Sequence, residues 1–283
     1  METVILALKS IVLGIVEGAT EFLPVSSTGH LIIFQNLLNF TSKTPNYVEM
    51  YTYVIQLGAI LAVIVLYRDK ILDTLKNFFP KSVGYEKSGF RFWLIVVIAC
   101  IPGGVLGILL DDIAEKYLFN PVSVSVTLFV GAVLMIIAEN KLTGRKTRKT
   151  TEINLTVKQA LVVGCFQCLA IIPGMSRSAS TIIGGWVAGL STVVAAEFSF
   201  FLAIPVMIGM STLKIVKLGG LGLLTGSEII SLFIGFVVSF IVAVVVIDKF
   251  ISFLKKKPMR IFAVYRMVFS VILLIAASVF GLF

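Results

Sequence analysis

Apolar residues in this chain run in long blocks and do not alternate with polar ones. That is the pattern of helices buried all round, not of half-exposed strands or barrel spans. Six blocks, 50–67, 92–110, 121–138, 195–213, 229–247 and 261–283, are each long enough to cross about 30 Å of hydrocarbon as a helix. Two more apolar regions, 4–40 and 157–190, are interrupted in the middle by Pro, Gly, hydroxyl and charged residues, so that each half is short for a span. The two broken regions match at an offset of 150: Gly14, Glu17, Pro24, Ser26, Ser27 and Thr28 lie over Gly164, Gln167, Pro173, Ser176, Arg177 and Ser178, with the prolines one position out of step. Three complete spans separate the copies, and an odd number of crossings turns the second copy over in the membrane. The pattern predicts an all-α polytopic membrane protein with an inverted-topology repeat: six transmembrane helices plus two re-entrant helical hairpins meeting near the midplane. The whole chain, 1–283, reads as one membrane domain, with 1–140 as the first repeat and 141–283 as the second.

Composition excludes a soluble protein. Hydrophobic residues make up 58% of the 283 positions, charged residues only 14%, and mean hydropathy is +1.04, against roughly a quarter charged in soluble domains. The net charge of +9 marks topology and not a nucleic-acid partner, because the basic residues are clustered: six lie in 68–91, six in 141–158 and five in 249–260. These segments read as cytoplasmic loops, able to hold anionic membrane lipids. The stretch 111–120, with Asp111, Asp112 and Glu115 against Lys116, reads as an external loop. Cys100, Cys165 and Cys168 are odd in number and embedded in apolar sequence, so they read as small buried side chains and not as a disulfide or zinc set. Lys9 and Glu17 interrupt the first apolar stretch, which is therefore no cleavable signal.

The chemistry is concentrated at the two breaks. Glu17 and Glu21 are four residues apart, on one helical face, at the C-terminal end of a half-helix. Their charges add to the negative pole of the helix dipole, a conflict that a divalent cation, Mg2+ or Ca2+, would resolve. After Pro24, Ser26, Ser27 and Thr28 bring hydroxyls and free N–H groups to the positive end of the next half-helix, an anion site. His30, the chain's one histidine, shares a helical face with Ser26 and Ser27. The second break repeats the logic: Gly174, Ser176, Ser178, Ser180 and Thr181 surround Arg177, whose forked donor suits phosphate. Serine and threonine before a helix are ordinary caps. Placing Glu17, Glu21 and Arg177 inside a membrane, however, costs roughly 8–10 kcal/mol on insertion scales, too much for decoration. Glu197 and Arg266, early in their spans, are expected to pair and fix the second hairpin.

The segments Glu17-Gly-Ala-Thr-Glu21-Phe-Leu-Pro-Val-Ser-Ser-Thr-Gly-His30 and Pro173-Gly-Met-Ser-Arg177-Ser-Ala-Ser-Thr181 resemble the two signatures of the undecaprenyl-diphosphate phosphatases, the bacitracin-resistance family of bacterial inner-membrane enzymes. The resemblance extends over essentially the whole chain, takes in 195–205 and Tyr265-Arg266, and departs from the common pattern at Ala179. It implies hydrolysis of undecaprenyl diphosphate to undecaprenyl phosphate and inorganic phosphate. That reaction recycles the lipid carrier of peptidoglycan synthesis and confers bacitracin resistance. It also implies a divalent-cation requirement and a site open to the outer face of the membrane. On this reading Ser27 is the nucleophile, His30 takes its proton, Glu17 and Glu21 hold the metal, and Arg177, Ser176 and the second tip's amides hold the phosphate, with Ser26, Thr28, Gly174, Ser178 and Thr181 around it. Attack by His30 itself or by water stays open, as does the choice between a monomer and a homodimer. Inverted repeats with broken helices are also the mark of secondary transporters, so a transporter or flippase for a lipid phosphate or other anion is the competing reading.

Overall fold

The computed structural model describes residues 2–143 and 154–280, with the side chains of Glu2, Asp111, Glu115, Leu223, Val279 and Phe280 left undescribed. Among the described residues the regular elements are all helices, joined by turns and loops: α1 Glu2–Thr20, α2 Ser27–Leu37, α3 Tyr47–Leu66, α4 Arg68–Lys76, α5 Pro80–Val83, α6 Gly89–Leu118, α7 Pro121–Leu142, α8 Val157–Gln167, α9 Arg177–Val187, α10 Thr192–Lys217, α11 Gly226–Leu254 and α12 Arg260–Phe280. Seven of them are long and apolar enough to cross a membrane, the six predicted spans and α1. The first half of the broken region 4–40 is thus not short for a span: its polar residues Lys9 and Glu17 are carried within one continuous helix, where the backbone hydrogen bonds close whatever the side chains are. The segment 111–120 is mostly not a loop either, since α6 continues to Leu118 before Asn120 caps α7 by accepting from Ser123 N–H. Of the basic segment 141–158, Arg145, Lys146, Arg148 and Lys149 lie outside the described residues.

Both broken regions fold back on themselves, and they do so alike. In the first, α1 and α2 run antiparallel, and Lys9 Nζ donates to the carbonyl of Asn39 at 2.7 Å. In the second, α8 and α9 run antiparallel, and Gln159 Nε2 donates to the carbonyl of Ala188 at 3.0 Å. α2 ends on Asn39 at φ 48° and α9 on Gly189 at φ 80°, each followed by the same return bond, Phe40 N–H to Gln35 and Leu190 N–H to Gly185. This is the left-handed cap that closes a helix C-terminus. The turn before each second half-helix is matched too: Ser26 stands at φ 69° and Ser176 at φ 67°.

Each hairpin leans on the other half of the chain. α1 lies along α11, where a Cβ built on Gly14 would come within 2.8 Å of the Gly235 carbonyl and one on Gly18 within 2.5 Å of the Ser239 carbonyl. At the equivalent register Gly164 lets α8 pack directly on the backbone of α6 at Ala99. Small residues at such crossings let backbones approach closely enough for dispersion to hold helices together in lipid. Polar pairs add to this: Tyr51 donates to Ser10 O at 2.9 Å, Ser239 to Ile55 O at 2.9 Å and Tyr47 to Ser231 Oγ at 2.8 Å. The largest apolar core is built around α9 and α10, where Phe198, Phe200, Phe201 and Trp186 are buried, with α10 packed against α3, α6 and α11. The expected burial of the three cysteines holds only in part. All are free, Cys100 and Cys168 are half-buried, and Cys165 is exposed because the outer face of α8 carries it.

Candidate functional site

The two tips meet. Arg177, the first residue of α9, reaches across 3.2 Å from Nη2 to Glu21 Oε1, and both side chains are buried. The other Glu21 oxygen, Oε2, accepts from Ser27 Oγ at 2.6 Å. Glu21 lies just past the last turn of α1, and Ser27 opens α2, so the break after Thr20 is what brings the carboxylate and the hydroxyl face to face. Arg177 is fixed further by Nη1, which donates to Ser199 O at 3.1 Å, and by its guanidinium lying 5.5 Å from the Phe22 ring. Its Nε is buried and has no hydrogen-bond partner among the described residues. That leaves one charged donor to be claimed, and a bound anion could claim it.

Glu17 is completely buried one turn before Glu21, and neither of its oxygens has a hydrogen-bond partner among the described residues. Two orphaned carboxylate oxygens beside a second carboxylate are a donor set for a hard divalent cation, and these residues fit one. The described residues hold no cluster of three or more Asp, Glu, His or Cys, so such an ion would complete its shell with water and substrate oxygens, as Mg2+ commonly does.

Glu21, Ser27 and Arg177 open onto a cavity of about 520 Å3, and Glu17 lies buried behind Glu21, outside its lining. One end carries Glu21, Ser26, Ser27, Thr28, Gly174, Ser176 and Arg177. The remainder is walled mainly by apolar and glycine positions of α6 and α10, among them Gly104, Gly107, Ile108, Pro205, Gly209 and Leu213, and it extends to Ala114 and Phe119 at the α6–α7 end. Gly174, at φ 91° with Thr127 and the α7 backbone against it, fits only as glycine. Its neighbour Pro173 accepts a hydrogen bond from the Thr127 hydroxyl.

Not every expected residue reaches this cavity. Ser178 Oγ donates to Leu23 O at 2.9 Å, tying the two hairpins together, and Thr181 Oγ1 lies 2.6 Å from Ser199 Oγ, tying α9 to α10; neither lines the cavity. Ser180 is buried beside them. His30 is not brought to Ser27. Its Nδ1 lies 2.8 Å from Ser26 O and its Nε2 2.7 Å from Tyr265 Oη, on the side of α2 turned to α12. The expected Glu197–Arg266 pair does not form either: Glu197 faces Lys70 and Lys255, whereas Arg266 donates to the carbonyls of Gly174 and Met175. One turn of helix sets a different rotation for each span, and early position in two spans does not put two residues on facing sides. Gln56, Tyr53 and Gln167, which also line the cavity, escaped the sequence reading. Gln167 carried a signal, standing at the register of Glu17; Gln56 and Tyr53 had none beyond being polar within an apolar run.

An all-helical, multi-pass membrane protein whose cavity joins a buried Arg–carboxylate–serine cluster to an apolar throat belongs to the class that handles an anionic group attached to a lipid. Comparison with known proteins gives the particular family. The bacitracin resistance protein BacA family matches residues 10–272, and the chain belongs to it. Undecaprenyl-diphosphatase of Ruminiclostridium cellulolyticum is 65% identical over 98% of both chains. The protein of that name from Clostridium tetani is 56% identical over 96% of this chain and 97% of its own. Undecaprenyl-diphosphatase 2 of Clostridioides difficile is 49% identical over 97% and 96%.

Proposed function

We propose that this protein removes the terminal phosphate of undecaprenyl diphosphate, releasing undecaprenyl phosphate and orthophosphate. The observation that carries the reading is the shape of one cavity, polar at the Glu21–Ser27–Arg177 end and apolar between α6 and α10. A lipid diphosphate is polar and apolar in the same order, and relatives similar over nearly their whole lengths carry the name of that activity.

On this reading Ser27 Oγ attacks the terminal phosphorus in line with the bridging oxygen. Glu21, already accepting the Ser27 hydroxyl, takes its proton as the bond forms. The bond from phosphorus to the bridging oxygen breaks, undecaprenyl phosphate leaves, and water then cleaves the phosphoserine to orthophosphate. Arg177, with Ser26, Thr28, Gly174 and Ser176 around it, holds the non-bridging oxygens and opposes the charge that builds on them. A Mg2+ or Ca2+ ion held by Glu17 and Glu21 would neutralise phosphate charge and polarise the phosphorus when bound. Ser178 and Thr181 support the clamp from behind.

The arrangement in the membrane is part of the same reading: two repeats, 1–140 and 141–283, of inverted topology, each opening with a re-entrant hairpin. What supports it is the pairwise match of Ser26 with Ser176, Asn39 with Gly189, and Gly14 with Gly164, together with the antiparallel return of each hairpin. The cavity reaches Ala114 and Phe119, at the acidic C-terminal end of α6 that the basic segments assign to the outer side of the cytoplasmic membrane. The basic segments on the other side would hold anionic lipid headgroups. The test is phosphate release from undecaprenyl diphosphate by purified protein in detergent, with and without a chelator. The expected result is release that stops on chelation and returns with Mg2+ or Ca2+. No release under any of these conditions would end the phosphatase assignment, and release indifferent to chelator would end the metal assignment alone.

A further inference from the structure

Two neighbouring residues of α12, Tyr265 and Arg266, stand behind both tips. Ser26 and Ser176 sit at positive φ, a backbone conformation that is unfavourable for a non-glycine residue and persists only where the surroundings impose it. At the second tip the restraint comes from α12 directly, and at the first it comes through His30 of α2, which α12 holds. At the first tip, His30 Nδ1 lies 2.8 Å from the Ser26 carbonyl. A carbonyl only accepts, so Nδ1 carries a proton, and in the neutral ring the Nε2 lone pair accepts from the Tyr265 hydroxyl at 2.7 Å. The ring is held flat against Phe269, centroids 3.9 Å apart, and is 4% exposed. At the second tip, Arg266, wholly buried and in no ion pair among the described residues, gives Nη2 to the carbonyls of Gly174 at 2.9 Å and Met175 at 3.1 Å.

The peptide unit is planar and trans, so a carbonyl and the N–H that follows it point in opposite directions. With the carbonyl of Ser26 engaged by His30 and that of Met175 by Arg266, the N–H groups of Ser27 and Ser176 are turned the other way. Both residues line the cavity on that side. His30 does not line it.

We infer that α12 is a strut that holds both serine turns in their anion-binding form, and that His30 is a positioning residue within it and not the acceptor of the Ser27 proton. This rests on the phosphatase reading. Asparagine separates the two roles, because its side-chain amide can replace Nδ1–H as donor to Ser26 O but can neither relay a proton nor carry a phosphoryl group. The experiment compares wild type, His30→Asn, His30→Ala and Tyr265→Phe in phosphate release, in rapid-quench trapping of phosphoenzyme, and in the shift of thermal midpoint produced by orthophosphate. His30→Ala should lose about 100-fold in kcat and His30→Asn less than about tenfold, in line with the cost of misplacing a reacting group by an ångström. Tyr265→Phe should fall between wild type and His30→Ala. Orthophosphate should raise the midpoint of wild type and His30→Asn but not of His30→Ala. A folded His30→Asn as inactive as His30→Ala, or phosphate trapped on His30, would overturn the inference. So would an equal orthophosphate shift in all variants, a readout that stands even if wild type releases no phosphate and the phosphatase reading itself fails. Should His30→Ala not fold, the comparison of His30→Asn with wild type decides the matter.

Discussion

At the scale of single residues, the site rests on Glu21, which serves two partners at once. Its Oε1 meets Arg177 and its Oε2 meets Ser27, so removing either partner leaves a buried carboxylate short of a donor. Ser27→Ala should reduce phosphate release by about a thousandfold or more, as loss of a nucleophile does elsewhere. Arg177→Lys keeps the charge but loses the fork that serves Glu21, Ser199 and the cavity together, and should raise KM by about tenfold or more. Full activity in either variant, measured by phosphate release, would remove that residue from the mechanism. These residues were legible in the sequence because ionisable groups in apolar blocks are expensive and stand out. The bond from Ser27 to Glu21 was not, because helical spacing puts Ser27 and His30 on one face but does not say what that face meets.

At the scale of elements, glycine has two opposite uses here. Gly18 lies against the α11 backbone, and a larger side chain must push α1 away from it. Gly18→Leu should therefore lower the thermal midpoint of the purified protein by several degrees, the effect of overpacking worth about 1–3 kcal/mol. Gly209 lines the apolar part of the cavity and has no heavy atom within 4 Å of its would-be Cβ. Gly209→Leu should leave the midpoint nearly unchanged and raise KM for undecaprenyl diphosphate by about fivefold or more, with little change for a short-chain prenyl diphosphate. Equal effects on the long and short substrates would argue against a prenyl chain lying between α6 and α10. The element order was readable from hydropathy alone. The length of α1 was not, because a helix tolerates the Lys9 and Glu17 that made the block look broken.

At the scale of the whole molecule, topology is the testable property. On a cysteine-free background, Lys81→Cys and Lys256→Cys should react with a membrane-impermeant thiol reagent only after the cytoplasmic side is exposed, and Asp112→Cys should react from outside. Labelling of all three from one side would overturn the arrangement proposed for the repeats. The sequence by itself determined that the chain lives in a membrane, the order of its apolar helices, and that its ionisable groups within apolar sequence gather at two matched breaks. Those features follow from the cost of placing polar groups in hydrocarbon and from the repeat written into the chain, both of which are local in sequence. Only the tertiary structure decided which partner each polar group takes: Glu21 with Arg177 across the two tips, Ser27 with Glu21, and His30 and Arg266 with the backs of the serine turns. Such pairings depend on the rotation of each helix about its axis and on how closely glycine lets neighbours approach. Both are fixed by packing between segments more than a hundred residues apart, as between Glu21 and Arg177 or Gly14 and Gly235.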